Sequence, residues 1–373
     1  MASVVIDIRS AEDSRDVVHR AVQALAEGGL VAFPTETVYG VAAFARNEAA
    51  VARLQNLKQR KAGQPLALAV KSAEDALDYV PDMSALGQRL ARRCWPGPVT
   101  LVVDARHPDS LLIQLPSSVR EAVLPDGTLG LRVPAHETLL DVLQLLAGPL
   151  VLSSANRQGE PEAKTGEEVV AALGDSLDLV INAGRCRYGQ SSSVVRVENN
   201  NLTVLREGVV PEPTLRRLAS ALILFVCTGN TCRSPMAEVI ARKLIAEKVG
   251  CKVEELEDHG VLVASAGIAA MEGGRPSAEA VEVAAAKGLD LQDHASQPLT
   301  EQLVRHADYV FTMTRGHRQA ILAQWPGAAQ RVKQLCRDET DIGDPIGGPI
   351  ELYRRCAQRI ESELRERVKE LEL

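Results

Sequence analysis

Cys227 and Arg233 stand six positions apart, with Ser234 directly after the arginine, in the segment Leu222-Ile-Leu-Phe-Val-Cys-Thr-Gly-Asn-Thr-Cys-Arg-Ser-Pro235. The apolar run before Cys227 reads as a buried parallel strand. Pro235 is suited to the first turn of a helix. Between them, Thr228, Gly229, Asn230, Thr231, Cys232 and Ser234 supply backbone amides at a helix N-terminus, an arrangement that cradles anions. The same positive field favours the anionic form of a thiol at its centre. Arg233 can hold two phosphoryl oxygens with its planar fork, and Ser234 can donate a hydrogen bond to the Cys227 sulfur. A structural cysteine in a βα turn is the plainer alternative, but it gives no reason for the arginine and serine at this spacing. A zinc pair of Cys227 and Cys232 lacks a second Cys/His pair at ligand spacing.

A thiolate that attacks phosphorus needs a partner to protonate the leaving group. Asp344, in Asp341-Ile-Gly-Asp-Pro-Ile-Gly-Gly-Pro349, is the candidate acid, on a loop marked by glycines and prolines. Catalysis is therefore expected from Cys227, Arg233 and Asp344. Together these motifs resemble the low-molecular-weight protein-tyrosine-phosphatase family, over about residues 222–373. The loop with Thr231 is similar to that of the protein-arginine-phosphatase branch, where tyrosine-specific members carry Ile or Leu. That branch has Phe-Gly-Gly after Asp-Pro; Ile346-Gly347-Gly348 stands here. The resemblance implies a phosphorylated protein substrate, no cofactor, and a second cysteine, Cys232, able to trap Cys227 as a reversible disulfide. Phosphoarginine is the expected substrate and phosphotyrosine the open alternative.

In the first half, polar residues follow directly on buried strands. Pro34-Thr-Glu-Thr37-Val-Tyr-Gly40 is the densest stretch. Lys58-Gln-Arg60 sets two cations on one side of an extended segment, as a triphosphate requires. Ser153-Ser154-Ala-Asn156 and Gly189-Gln-Ser-Ser-Ser193 are further clusters at strand ends, and Trp95-Pro-Gly-Pro reads as a rigid turn into a strand. With Leu131-Arg132-Val-Pro and Leu205-Arg206-Glu-Gly, these motifs in this order resemble the YrdC/Sua5 family of L-threonylcarbamoyladenylate synthases, over about residues 4–210. The resemblance implies that ATP, L-threonine and bicarbonate give threonylcarbamoyl-AMP and pyrophosphate, with Mg2+ on the triphosphate and a partner complex that passes the product's acyl group to tRNA. It assigns threonine to Thr37 and Arg132, and the nucleotide to Lys58, Arg60, Gln64, Thr128, Ser154, Asn156, Ser193 and Arg206. Two positions depart from the family: Ser191-Ser192-Ser193 replaces Glu-Ser-Thr, and Ala69 stands where some members have His. A first half that binds nucleotide or RNA without catalysis is the second open alternative.

These groups must be positioned by two separate frameworks. At 373 residues the chain exceeds the roughly 100–200 residues of an ordinary domain. Strands are expected at 4–8, 30–33, 65–70, 99–103, 130–133, 150–153, 179–181, 193–197 and 202–205, with helices at 15–27 and 48–58. They imply a mixed α/β domain over 1–210, which the family resemblance makes a twisted open sheet with a concave cleft. Pro211-Glu-Pro213 marks an extended linker over 211–220, with a short helical stretch at 214–219. Residues 221–373 then alternate strands (221–226, 261–264, 309–312, 332–334) with helices (235–249, 277–287, 317–324, 350–371). That pattern implies a doubly wound parallel sheet.

The formal net charge is −7, which argues against a protein whose main work is holding nucleic acid by electrostatics. Seven cysteines, an odd number of which only Cys227 and Cys232 are close in sequence, do not form a secreted disulfide framework. The first ten residues contain Asp7 and Arg9 and no apolar core, and no apolar run reaches the roughly 18 residues needed to span a bilayer. A soluble cytoplasmic protein is expected.

Overall fold

The computed structural model describes residues 3–59 and 65–373, which form two compact units, Met1–Leu218 and Ala219–Leu373. Among the described residues no helix is long and apolar enough to cross a membrane.

The first unit is built on ten strands: β1 (Val4–Asp7), β2 (Val31–Phe33), β3 (Gly40–Phe44), β4 (Ala67–Ala69), β5 (Val99–Asp104), β6 (Thr128–Arg132), β7 (Leu150–Ser154), β8 (Leu179–Asn182), β9 (Ser193–Glu198) and β10 (Asn201–Arg206). They form one mixed sheet in the order β1-β8-β2-β3-β7-β4-β6-β5-β9-β10. Helices α1 (Ser14–Ala26), α2 (Glu48–Leu57), α3 (Ala73–Tyr79), α4 (Ala85–Cys94), α5 (Ser117–Val123), α6 (Glu137–Leu145) and α7 (Gly166–Leu173) connect the strands. Asp13 and Asn47 cap α1 and α2 by accepting backbone N–H groups of Arg15 and Ala50, as short polar side chains do at that position. One apolar core joins Val17, Ala21 and Leu25 of α1 to Leu139, Val142 and Leu143 of α6, over Val31, Phe33, Ala42 and Leu179 of the sheet.

Strand β3 has no counterpart in the sequence reading. Its residues, Gly-Val-Ala-Ala-Phe, set two strand formers, Val41 and Phe44, among Gly40, Ala42 and Ala43, which favour strands little, and they show no period-2 alternation. Burial against β2 and β7, both antiparallel to it, decides its conformation instead. At the end of this unit, helix α8 (Glu212–Ala219) contains the helical stretch expected at 214–219 and begins two residues earlier, inside the Pro-Glu-Pro segment read as extended. Pro213 falls in its first turn, where a missing N–H removes no helical hydrogen bond.

The second unit is a four-stranded parallel sheet of order β12-β11-β13-β14, with β11 (Ala221–Cys227), β12 (Val261–Gly267), β13 (Tyr309–Thr312) and β14 (Val332–Gln334). Its helices are α9 (Arg233–Val249), α10 (Ala278–Ala286), α11 (Glu301–His306), α12 (Arg315–Gln324) and α13 (Ile350–Lys369). Alternation along β11 separates two cores. Ile223, Phe225 and Cys227 face α9, α10 and α13. Leu222, Leu224 and Val226 face Val304 and Ile321 of α11 and α12. All seven residues of β11 are buried, which explains the unbroken apolar run that marks it in the sequence.

Candidate functional site

In the second unit, β11 delivers Cys227 to the carboxyl edge of the sheet and α9 starts at Arg233, two residues earlier than the proline suggests. The chain must reverse within five residues. Asn230 makes this possible by adopting a left-handed conformation, φ 55°, which asparagine tolerates better than most residues. Its N–H then points at Cys227 Sγ, 3.2 Å away, and Ser234 Oγ lies 3.0 Å from the same sulfur. The Asn230 side chain is locked from behind. Its amide donates to Ser234 Oγ and Ser265 Oγ at 2.9 and 2.8 Å, and its Oδ1 accepts from Gln297 N at 2.9 Å. His294 Nε2 is 2.9 Å from its carbonyl. Ser265 in turn donates to Glu238 at 2.7 Å, a carboxyl that burial pushes above its ordinary range.

Arg233 is only 5 % exposed, held by a hydrogen bond from Nη1 to Ile342 O at 3.2 Å and by an ion pair from Nη2 to Asp344. The Asp344 side chain remains 41 % exposed. The thiol, the guanidinium and the carboxylate expected from sequence are thus assembled at one loop. Cys232 is buried, 3.4 Å from Ser277 Oγ and 3.6 Å from the Tyr353 hydroxyl. Thr231 is pinned through its carbonyl, which accepts from Ser277 N at 2.9 Å.

Two further residues shape this loop without any sequence signal beyond their type. A Cβ on Gly267, at the end of β12, would collide with Thr228 O and with Asn230 N, so glycine is needed for the loop to pass. His317, on α12, is 5 % exposed. Its Nε2 lies 2.9 Å from Thr228 Oγ1 and its Nδ1 lies 3.0 Å from Thr314 Oγ1. Burial, reinforced by the Arg233 charge, lowers its pKa to about 4.

In the first unit, a cavity opens on the sheet between β3 and β10, lined by Thr37, Thr128, Arg132, Ser154, Ser192 and Arg206 among others. Arg132, at the end of β6, is held at three points. Its Nη2 donates to Glu36 Oε1 at 2.7 Å and to Thr37 Oγ1 at 2.9 Å, and its Nε donates to Gly97 O at 3.2 Å. Glu36 also accepts from Ala135 N at 2.9 Å. The Trp95-Pro-Gly-Pro turn therefore serves the site by presenting one carbonyl to Arg132. Lys58 Nζ, buried, donates to Ser154 O at 2.9 Å and to Asn156 O and Oδ1 at 2.5 and 2.8 Å. The lysine organises the Ser-Ala-Asn turn instead of lying along an open extended segment.

Arg206 grips Ser192 O at 2.8 Å and Ser192 Oγ at 3.2 Å, and Thr100 Oγ1 reaches the same hydroxyl at 3.0 Å. Thr128 Oγ1 bonds Asp126 at 2.6 Å. Ser193, expected on the nucleotide, is fully buried. Its hydroxyl donates to Val210 O at 2.7 Å and accepts from Gly208 N and Val210 N at 3.1 and 3.0 Å. Successive residues of a strand face opposite ways, and here Ser192 is the one on the cavity wall. Glu162, also unmarked in the sequence, bonds Ser191 on that wall. Arg60 and Gln64 lie outside the described residues.

Two family models match the chain. One, the Sua5/YciO/YrdC family described as "Telomere recombination", covers residues 23–208, and the other, "Low molecular weight phosphotyrosine protein phosphatase", covers residues 222–373. A threonylcarbamoyl-AMP synthase of Pyrococcus abyssi is 31% identical over 62% of this chain and 69% of its own length. A protein-arginine-phosphatase of Bacillus subtilis is 41% identical over 40% of this chain and 95% of its own length. Among solved structures, P. abyssi Sua5 complexed with L-threonine is 25% identical, covers 71% of this chain and 92% of that one, and superposes with a TM-score of 0.52.

Proposed function

The chain belongs to the Sua5/YrdC family through residues 23–208 and to the low-molecular-weight phosphatase family through residues 222–373, and from this premise we infer that it is a bifunctional enzyme. The first unit makes L-threonylcarbamoyl-AMP and pyrophosphate from ATP, L-threonine and bicarbonate, for transfer to tRNA by a partner complex. The second removes phosphate from phosphoarginine in proteins.

The arrangement of Arg132 carries the first reading. Its guanidinium, fixed by Glu36 and Gly97, reaches Thr37 Oγ1 on the wall of the cavity, and so offers a charge and a hydroxyl to an amino acid's carboxylate and side chain. The relative solved with L-threonine supports the same class of ligand. Ser154, Ser192 and Arg206 line the remainder, where the nucleotide is placed. Lys58 acts through the turn it holds. Magnesium arrives as part of the substrate, on phosphate oxygens. Catalysis is then mostly positioning: the carboxylate of N-carboxythreonine attacks the α-phosphate, and the bond to pyrophosphate breaks in line.

Cys227 Sγ, with Asn230 N at 3.2 Å and Ser234 Oγ at 3.0 Å, carries the second reading. The thiolate attacks phosphorus, the bond to the substrate's nitrogen breaks, and Asp344 protonates the leaving guanidine. Water, deprotonated by Asp344, then cleaves the sulfur–phosphorus bond. Asp344 is poised for both steps. It pairs with Arg233 on a loop, and a phosphoryl group that takes the guanidinium frees the carboxyl for the leaving group. Threonine at 231 supports phosphoarginine, because its hydroxyl can accept from a guanidinium N–H, whereas hydrocarbon there would favour a phenol ring.

Two assays test the function. Pyrophosphate release from ATP should require both threonine and bicarbonate; threonine-independent release, or none, leaves the first unit a binding module. Phosphoarginine and phosphotyrosine, offered side by side with Cys227→Ser as the blank, should be cleaved in favour of the former. Thr231→Ile should move the ratio of kcat/KM towards phosphotyrosine by about tenfold, the worth of one lost partner for a buried N–H. An unmoved ratio removes the argument for arginine.

A further inference from the structure

Thr228 is the first residue of the phosphate loop, and its hydroxyl stands beside the group that must hold the anion: Arg233 Nη2 lies 3.5 Å from Thr228 Oγ1. On its other side the same oxygen meets His317 Nε2 at 2.9 Å, while His317 Nδ1 meets Thr314 Oγ1 at 3.0 Å. Thr314 Oγ1 also accepts the backbone N–H of His317 at 3.2 Å, as the N-cap of α12. The row Thr314–His317–Thr228 is therefore a chain of hydrogen bonds leading from a half-buried helix cap, through a buried imidazole, to the mouth of the loop.

A neutral imidazole carries one proton, so the chain has two polarities. In one, Nδ1–H donates to Thr314, Thr228 donates to Nε2, and Thr228 turns only lone pairs towards the anion. In the other, Thr314 donates to Nδ1, Nε2–H donates to Thr228 Oγ1, and the Thr228 hydroxyl hydrogen is released to point at a phosphoryl oxygen. An anion in the loop selects the second polarity, because lone pairs facing phosphate repel it and a donor there makes a charge-assisted bond. We propose that His317 is a positioning residue of the phosphate loop, which turns Thr228 into a hydroxyl donor to the phosphoryl group in the transition state. Burial beside Arg233 keeps the imidazole neutral at working pH, so the histidine acts through its tautomer and not through charge. The donor adds to the amides and Arg233 at the position where negative charge is greatest in the bipyramidal transition state.

This inference rests on the phosphatase reading of the second unit, and a double-mutant cycle on the full-length protein separates the two. The variants are Thr228→Val, His317→Ala and their combination, each assayed for hydrolysis of p-nitrophenyl phosphate and for inhibition by orthovanadate, which mimics the pentacoordinate transition state. Each single variant should lower kcat and vanadate affinity by about tenfold or more, the loss of one hydrogen bond to a charged group. Inhibition by inorganic phosphate should fall less. The double variant should be no worse than either single one, since both remove the same donor. His317→Gln, whose amide can donate where Nε2 does, should recover most of the loss. His317→Phe, which fills the site but cannot donate, covers the case in which His317→Ala unfolds, as thermal denaturation would reveal, and should lose as much as is expected of His317→Ala. Additive losses in the double variant, or vanadate affinity unchanged in a folded His317→Ala or His317→Phe protein, overturn the role of His317 while leaving the phosphatase in place. A wild-type protein that neither hydrolyses the ester nor binds vanadate overturns both.

Discussion

At the scale of single residues, buried polar groups in both units are held by partners whose removal has calculable consequences. Arg132 and Glu36 are 10 % and 6 % exposed at their side chains and 2.7 Å apart. Arg132→Ala leaves a carboxylate buried without its counter-charge. The first unit should lose about 3–5 kcal/mol of stability, the usual cost of breaking a buried pair from one side, read as a lower urea midpoint, together with a raised KM for threonine. Glu36→Gln keeps an acceptor for Ala135 and should cost less. In the second unit, burial and Arg233 depress His317 to about 4 from 6.5, while Asp344 and Asp341 pull the other way. The unfolded chain therefore binds a proton that the folded one refuses. Stability falls as pH drops from about 6.5 towards 4, and His317→Gln should flatten that part of the curve of unfolding midpoint against pH. A His317→Gln curve with the wild-type slope between those values would mean that the imidazole is not held neutral by the fold.

Elements set what these residues can reach. The Cys227 loop works because a strand and a helix N-terminus meet across a short left-handed turn, and because the neighbouring strand ends in a residue with no side chain. A methyl group on Gly267 would occupy the space of the Thr228 carbonyl and the Asn230 N–H, so the loop must shift. Gly267→Ala should cost about 1–3 kcal/mol of overpacking and reduce affinity for phosphate and vanadate, measured by competitive inhibition, more than it reduces helical content. Affinity unchanged from wild type would show that the loop has room to yield. Ser193 in the first unit carries the same lesson. Its neighbours in sequence line the cavity, yet the pleat of β9 turns its own hydroxyl to the backbone at Gly208 and Val210, where it anchors the chain beyond β10.

At the scale of the molecule, each unit closes its own apolar core, α1 and α6 on the large sheet in one and α9, α10 and α13 on the parallel sheet in the other. Residues 219–373 expressed alone should fold and hydrolyse phosphoarginine with the kcat/KM of the full chain; a fragment that aggregates or loses activity would show that the core is incomplete without the first unit. Much of this organisation was legible in the amino-acid sequence. The apolar run of β11, the Cys-x5-Arg-Ser spacing and the alternation of strands and helices depend on near neighbours along the chain, and local chemistry writes them directly as pattern. The same holds for the ordered motifs at the strand ends of the first half, from Thr37 to Arg206. What the sequence did not carry are facts about contacts made at long range: that Gly-Val-Ala-Ala-Phe becomes a strand because two others enclose it, that Ser192 and not Ser193 faces the cavity, that Lys58 bonds the turn at Asn156, and that Glu36 and His317 stand behind Arg132 and Thr228. Partners 89 to 98 positions apart leave no periodicity to read. Only the packed structure, in which each buried donor must find an acceptor, decides which residue of the right type is the one in place.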